Sequence, residues 1–161
     1  MFLPFFLELK AAKVPVSLRE YLSLLEGMEA GLVEYDVEGF YYLARAALPH
    51  LKSAGAGRFV ILASLAGKRV LGPGVGYQMT KHAAVALAHA VRLEGWEAGV
   101  RALAVCPGLV DTDLVAGIAG IAKEEMIDAE SLARLVVTTM TLPNNASVAE
   151  LLVNCRYEHS L

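Results

Sequence analysis

Apolar residues recur at helical spacing in four stretches of the chain, and between these stretches stand three short, strongly apolar runs. Ser17, with Glu20 three residues on, suits the start of a short helix reaching about Met28, with Leu18, Tyr21, Leu22 and Leu25 on one face. A longer helix is predicted from Leu32 to Leu51 through Tyr35, Asp36, Gly39, Phe40, Leu43 and Ala47, and Gly55-Ala56-Gly57 ends it. Arg58-Phe59-Val60-Ile61-Leu62-Ala63 is too apolar for a half-exposed strand and is predicted to be a central, buried one. A glycine-rich loop follows from Ser64 to Gly76, and helical spacing returns from Tyr77 to about Glu97, closed by Gly99. Val100 to Cys106 is the next buried strand, broken by Pro107-Gly108, and irregular chain continues to Lys123. Asp128 caps a helix to about Met140, Pro143-Asn144-Asn145 makes a turn, and Val148 to Cys155 is a last apolar run.

Strands alternating with helices of this length predict an α/β fold, a doubly wound parallel sheet with helices on both faces in three layers. The 161 residues make about one domain. A hydrophobic fraction of 56% against 19% charged residues excludes intrinsic disorder. Every apolar run is interrupted by charge, Gly or Pro before the ~18–20 residues of a membrane span, so no membrane partner is expected. The apolar excess instead favours a homo-oligomer, formed through the helices at 32–51 and 77–97. Net charge is −3, with basic residues scattered, and nucleic acid is not an expected partner. Cys106 and Cys155 lack the spacing and the neighbouring histidines of a metal site, and no metal is expected. They read as buried thiols of a cytoplasmic protein. The apolar opening, Met1 to Leu9, has no basic leader and is cut by Glu8, so no export signal is expected.

Candidate chemistry lies in Tyr77-Gln78-Met79-Thr80-Lys81, whose tyrosine and lysine leave the same helical face one turn apart. Ser64 stands thirteen positions earlier, at the carboxyl end of a strand, where open parallel sheets bind ligands. A free phenol titrates near ~10, so proton transfer near neutrality needs a cation beside it, and Lys81 is placed to be that cation. Ser64 would donate a hydrogen bond to a carbonyl or alkoxide oxygen. Each residue also has a plain structural reading: an exposed helical pair, and a serine that satisfies a backbone group at a strand end. Thr112 and Asp113 equally suit the cap of a following helix. His82 follows Lys81 and is expected to point away from the site, while His50, His89 and His159 show no partners for metal or triad chemistry and read as surface or interface residues.

Ser64, Tyr77-x-x-x-Lys81, the strand Gly57 to Ala63 and Pro107-Gly108-Leu109-Val110-Asp111-Thr112 together resemble the carboxyl-terminal half of a short-chain dehydrogenase/reductase. Asp36-Val37-Glu38-Gly39-Phe40 and Ala47-Leu48-Pro49 resemble the helix before that family's catalytic strand. The resemblance runs from about residue 31 to 155 and implies a partial Rossmann-like fold; residues 1–30 are atypical. It implies that Tyr77 is the general acid/base, that Lys81 supports it and holds the nicotinamide ribose, and that Ser64 orients the substrate oxygen. Pro107, Gly108, Val110 and Thr112 would contact the nicotinamide end of NAD or NADP, and 113–126 would be the variable substrate loop. The implied reaction interconverts a secondary alcohol and a ketone.

The family usually has asparagine where this chain has Asp36, which is carried over as a member of the proton relay. The family's amino-terminal half, with its glycine-rich phosphate turn, has no counterpart among the 161 residues. Gly72-Pro73-Gly74-Val75-Gly76 lacks the third glycine of such a turn, and Pro73 lacks an N–H. The sequence thus reads as a family member truncated at its amino terminus. The other reading is a non-catalytic paralogue or fragment that acts through its helices. Substrate identity and the choice between NAD and NADP are not legible.

Overall fold

The computed structural model describes residues 7, 10, 11, 37–70, 73–115 and 121–156. The helix expected over 17–28, Asp36 and the middle of the expected substrate loop lie outside the described residues. The first long element is helix α1, Val37–Ser53, with Glu38 in its first turn and His50 and Lys52 in its last, charges that oppose the helix dipole at each end. It leads into strand β1, Arg58–Leu62. Helix α2, Val75–Gly95, begins two residues before Tyr77, on a left-handed Gly74. A single 3₁₀ turn, Trp96–Ala98, replaces the helical end expected at Glu97. Strand β2, Arg101–Pro107, helix α3, Ala129–Met140, and strand β3, Glu150–Val153, complete the order. Asp128 caps α3 as expected, its carboxylate accepting the Ser131 N–H at 2.8 Å.

The sheet is parallel, in the order β1-β2-β3. Among the described residues β2 is therefore the central strand, and the central place expected for β1 is corrected: β1 is an outer strand, and Leu62 is 60% exposed. A run of apolar residues shows burial of its faces but not how many strands flank it. Pro107 is the last strand residue of β2, not a break before its end. The ladder alternates so that Ala104 and Gly108 donate toward β3 while Arg101 donates to Gly57 on the β1 side. The nitrogen of Pro107 thus faces the β1 side, beyond β1's last strand residue, where its missing N–H costs little.

Alternation along the strands sorts two cores. Ile61, Ala63, Ala104 and Cys106 pack under α2 with Ala84, Val85 and Ala88, and Phe59 and Ala102 continue this side toward Ala44 and Leu48 of α1. Leu103 and Val105, with Val60, Leu151 and Val153, face Leu132 and Val136 of α3 on the other side. This is the three-layer α/β/α arrangement. Val91 of α2 is buried against Val100 and Ala102, whereas Leu43 of α1 is 54% exposed.

Gly99 turns the chain from the 3₁₀ segment into β2 at φ 79°, and a Cβ built on it would run into the Gly55 carbonyl. Gly99→Ala is expected to destabilise the protein by about 2 kcal/mol or more, since it combines a left-handed backbone with a backbone clash. Urea unfolding followed by circular dichroism measures it.

Candidate active site

Ser64 leaves β1 in extended backbone and caps a single 3₁₀ turn, Leu65–Gly67, its Oγ accepting the Ala66 N–H at 3.1 Å. The same hydroxyl donates to the Pro107 carbonyl at 3.5 Å, a contact long enough to be given up for a better acceptor. Both the structural and the chemical reading of this serine are thus open to one side chain. The turn is buried, and a Cβ on Gly67 would sit 2.6 Å from the Lys81 carbonyl, so only glycine lets the turn press on the helix at that point.

Tyr77 lies in the first turn of α2 and is 53% exposed. The Lys81 ammonium stands 5.6 Å from the centre of the Tyr77 ring and donates to the Leu62 carbonyl at 3.2 Å. Lys81 therefore links the tyrosine to the end of β1, two residues before Ser64. Burial pulls the Lys81 pKa below its ordinary value, and the nearby Cys106 works against that shift. Burial pushes the Cys106 thiol up.

The segment after β2 forms a bridge in which Asp111 donates to Ile127 and Ile127 donates to Leu109. In that pattern the amide of Val110 points away from Ile127, and its carbonyl accepts the Thr112 hydroxyl at 3.3 Å. Pro107 and Gly108 continue β2 toward this corner, where Gly108 donates to Val153. The donor set, an ammonium, two hydroxyls and an outward amide, suits the hydroxyls and carboxamide of a nicotinamide riboside.

Sequence reasoning missed one cluster. Lys68 Nζ straddles the Glu150 carboxylate, 2.9 Å from Oε1 and 2.8 Å from Oε2, and His89 Nε2 lies 2.7 Å from Oε1. His89, read from sequence as lacking partners, has this one. The available signal was Glu150 itself, the one charge in the apolar run from Val148 to Cys155.

The family model described as Enoyl-(Acyl carrier protein) reductase matches residues 20–152. The agropine synthesis reductase of Rhizobium rhizogenes is 42% identical over 111 residues, 69% of this chain and 26% of that protein. An alcohol dehydrogenase from the archaeon Thermococcus sibiricus, solved with 5-hydroxy-NADP, superposes with a TM-score of 0.66 at 30% identity, over 76% of this chain and 52% of that one. A short-chain type dehydrogenase/reductase from Mycobacterium ulcerans shares the fold, with a TM-score of 0.65 at 24% identity over 76% of this chain and 48% of that one. The chain belongs to the short-chain dehydrogenase/reductase family. It spans about half the length of the solved family members and about a quarter of the agropine synthesis reductase. The match begins at residue 20, so the family assignment also covers residues outside the resemblance read from sequence. Among the described residues no helix is long and apolar enough to cross a membrane.

Glu150 carries a prediction of its own. Hydrogen bonds from Lys68, then His89, hold its carboxyl below the usual carboxylate range. Its contribution to stability is then present above the ordinary value of ~4.3 and is lost as pH falls through the depressed one. Thermal unfolding between pH 6 and pH 3 is expected to show an acid loss that is smaller in Glu150→Gln. Equal losses in the two proteins would contradict it.

Proposed function

We propose that the chain carries the acid–base side of an NAD(P)-dependent oxidoreductase that interconverts a secondary alcohol and a ketone. The observation that supports it most directly is the joining of Tyr77, Lys81 and the Ser64 end of β1 through the Lys81 ammonium. The cofactor reading draws on the donor set at Lys81, Val110 and Thr112, and on the NADP derivative bound by the Thermococcus relative.

In the reductive direction a bound nicotinamide supplies the hydride that the carbonyl carbon receives. Tyr77 gives its hydroxyl proton to the carbonyl oxygen as negative charge develops there. Ser64 turns its O–H from Pro107 to the same oxygen and stabilises that charge with a second hydrogen bond. Lys81 faces the ring and attracts the phenolate left behind, and its ammonium would also hold the ribose hydroxyls. Pro107, Gly108, the Val110 amide and the Thr112 hydroxyl would hold the nicotinamide end of the cofactor. In the oxidative direction every proton moves the other way. Asp36 is proposed as a relay member on the resemblance alone.

Tyr77→Phe removes one hydroxyl from an exposed ring and leaves the fold intact. It is expected to lower kcat of any NADH- or NADPH-dependent ketone reduction that the chain shows at least a hundredfold, about the contribution of a general acid. Retention of most of the wild-type rate by the folded variant would exclude the mechanism.

Assembly follows from the α1 and α2 surfaces. Val37, Phe40 and Tyr41 line an apolar groove with Ala83, Ala86 and Leu87, and Tyr42 and Leu43 are exposed on α1. A second copy packed there, helix against helix, would cover them. Light scattering is expected to give a dimer or larger species at micromolar concentration, and a stable monomer would overturn the assignment. The same groove favours the second reading, a non-catalytic chain acting through its helices, which an oligomer with no reductase activity would support.

A further inference from the structure

The turn that carries Ser64 is packed into the protein through Leu65, Ala66 and Gly67, all buried, but it has few polar ties to other elements. Its backbone hydrogen bonds are local: Gly67 to Ser64, and Lys68 and Arg69 to Leu65. Beside that packing, two contacts bear on its place against α2. At the first, Gly67 presses on the Lys81 carbonyl, where no side chain fits between them. The second is the carboxylate of Glu150, which joins three elements: the loop through Lys68, α2 through His89, and β3, on which it stands.

The two contacts fall eight residues apart on α2, about 12 Å along its axis. The apolar packing of Leu65 and Ala66 is non-directional, and the carboxylate adds a directional polar tie at a second place along α2. The orientation of α2 against the turn decides where Tyr77 and Lys81 point relative to Ser64. The cluster is not a loose surface pair either, for the Lys68 and Glu150 side chains are only 29% and 21% exposed and both carboxylate oxygens are occupied. Glu150 also sits on the α2 face of the sheet, level with Ala104, in the same layer as Cys106 and Ile61.

We propose that Glu150 is a positioning residue, whose carboxylate clamps the Ser64 loop to α2 through Lys68 and His89. Its effect on turnover rests on the proposed oxidoreductase function; its effect on the loop does not. Glu150→Gln keeps the size of the side chain and removes the charge, and Lys68→Met removes the partner from the exposed end, a second route should the first variant fold poorly. Lys68→Arg keeps the ion pair and serves as the rescue.

The test is hydrogen exchange by mass spectrometry on the full chain, with steady-state kinetics using NADPH and acetophenone. Amides of residues 65–69 are expected to exchange about fivefold faster in Glu150→Gln and Lys68→Met, those of α1 unchanged, and wild-type exchange to return in Lys68→Arg. In the same variants kcat should fall about fivefold with KM for NADPH unchanged. Wild-type exchange over 65–69 in a folded Lys68→Met protein would overturn the proposal. So would faster exchange spread evenly over α1 and β2, which would mark general destabilisation. A wild-type chain that reduces no ketone would count against the oxidoreductase reading alone, because the exchange comparison decides the clamp by itself.

Discussion

Ala84 and Ala88, with Val85 between them, let α2 lie close against Ile61, Ala104 and Cys106. Gly67 and Gly95 extend the same close approach to the Ser64 turn and to Val100. Helix, turn and central strand are thereby held at one short distance, and the placing of the polar groups follows from it. A bulkier residue at these positions would lift α2 from the sheet and break the Lys81–Leu62 hydrogen bond, which a displacement of about 1 Å is enough to lose. Small side chains under α2 are therefore a condition of the site as well as of the fold.

That close approach has an electrostatic consequence. An ammonium drawn half into the protein loses hydration, which lowers the Lys81 pKa, while a carbonyl accepts from it and a ring face lies beside it. Cys106, wholly buried below, remains a neutral thiol because burial opposes its ionisation. The carboxylate of Glu150 is set apart on the same side of the sheet with its own two partners, Lys68 and His89. A positive group at the carboxyl end of a parallel sheet, with hydroxyls on either side, is a place where negative charge developing on a substrate oxygen is stabilised.

Much of this was legible in the sequence, for definite reasons. Helix and strand periods are local, so α1, β1, α2, β2, α3 and β3 were each expected within a few residues of where they stand. The offset from Ser64 to Tyr77 and the four-residue step to Lys81 are also local. A strand end and the next helix start fall together at the carboxyl edge of any parallel sheet, so these residues were expected to meet. Composition signalled surplus apolar surface, which the exposed Tyr42, Leu43 and Leu62 bear out.

The tertiary structure alone decided what depends on residues distant in sequence. Among the described residues strand order placed β2 at the centre and β1 outside it, because periodicity reports which faces are buried but not which neighbours pair. The Glu150 cluster joins positions 61 and 82 residues apart, a separation that no spacing rule reaches. The hydrogen bond from Lys81 to the backbone of β1, rather than to the Tyr77 hydroxyl, depends on how far α2 settles onto the sheet. That distance is set by packing volumes summed over the whole interface, a quantity no single stretch of sequence contains.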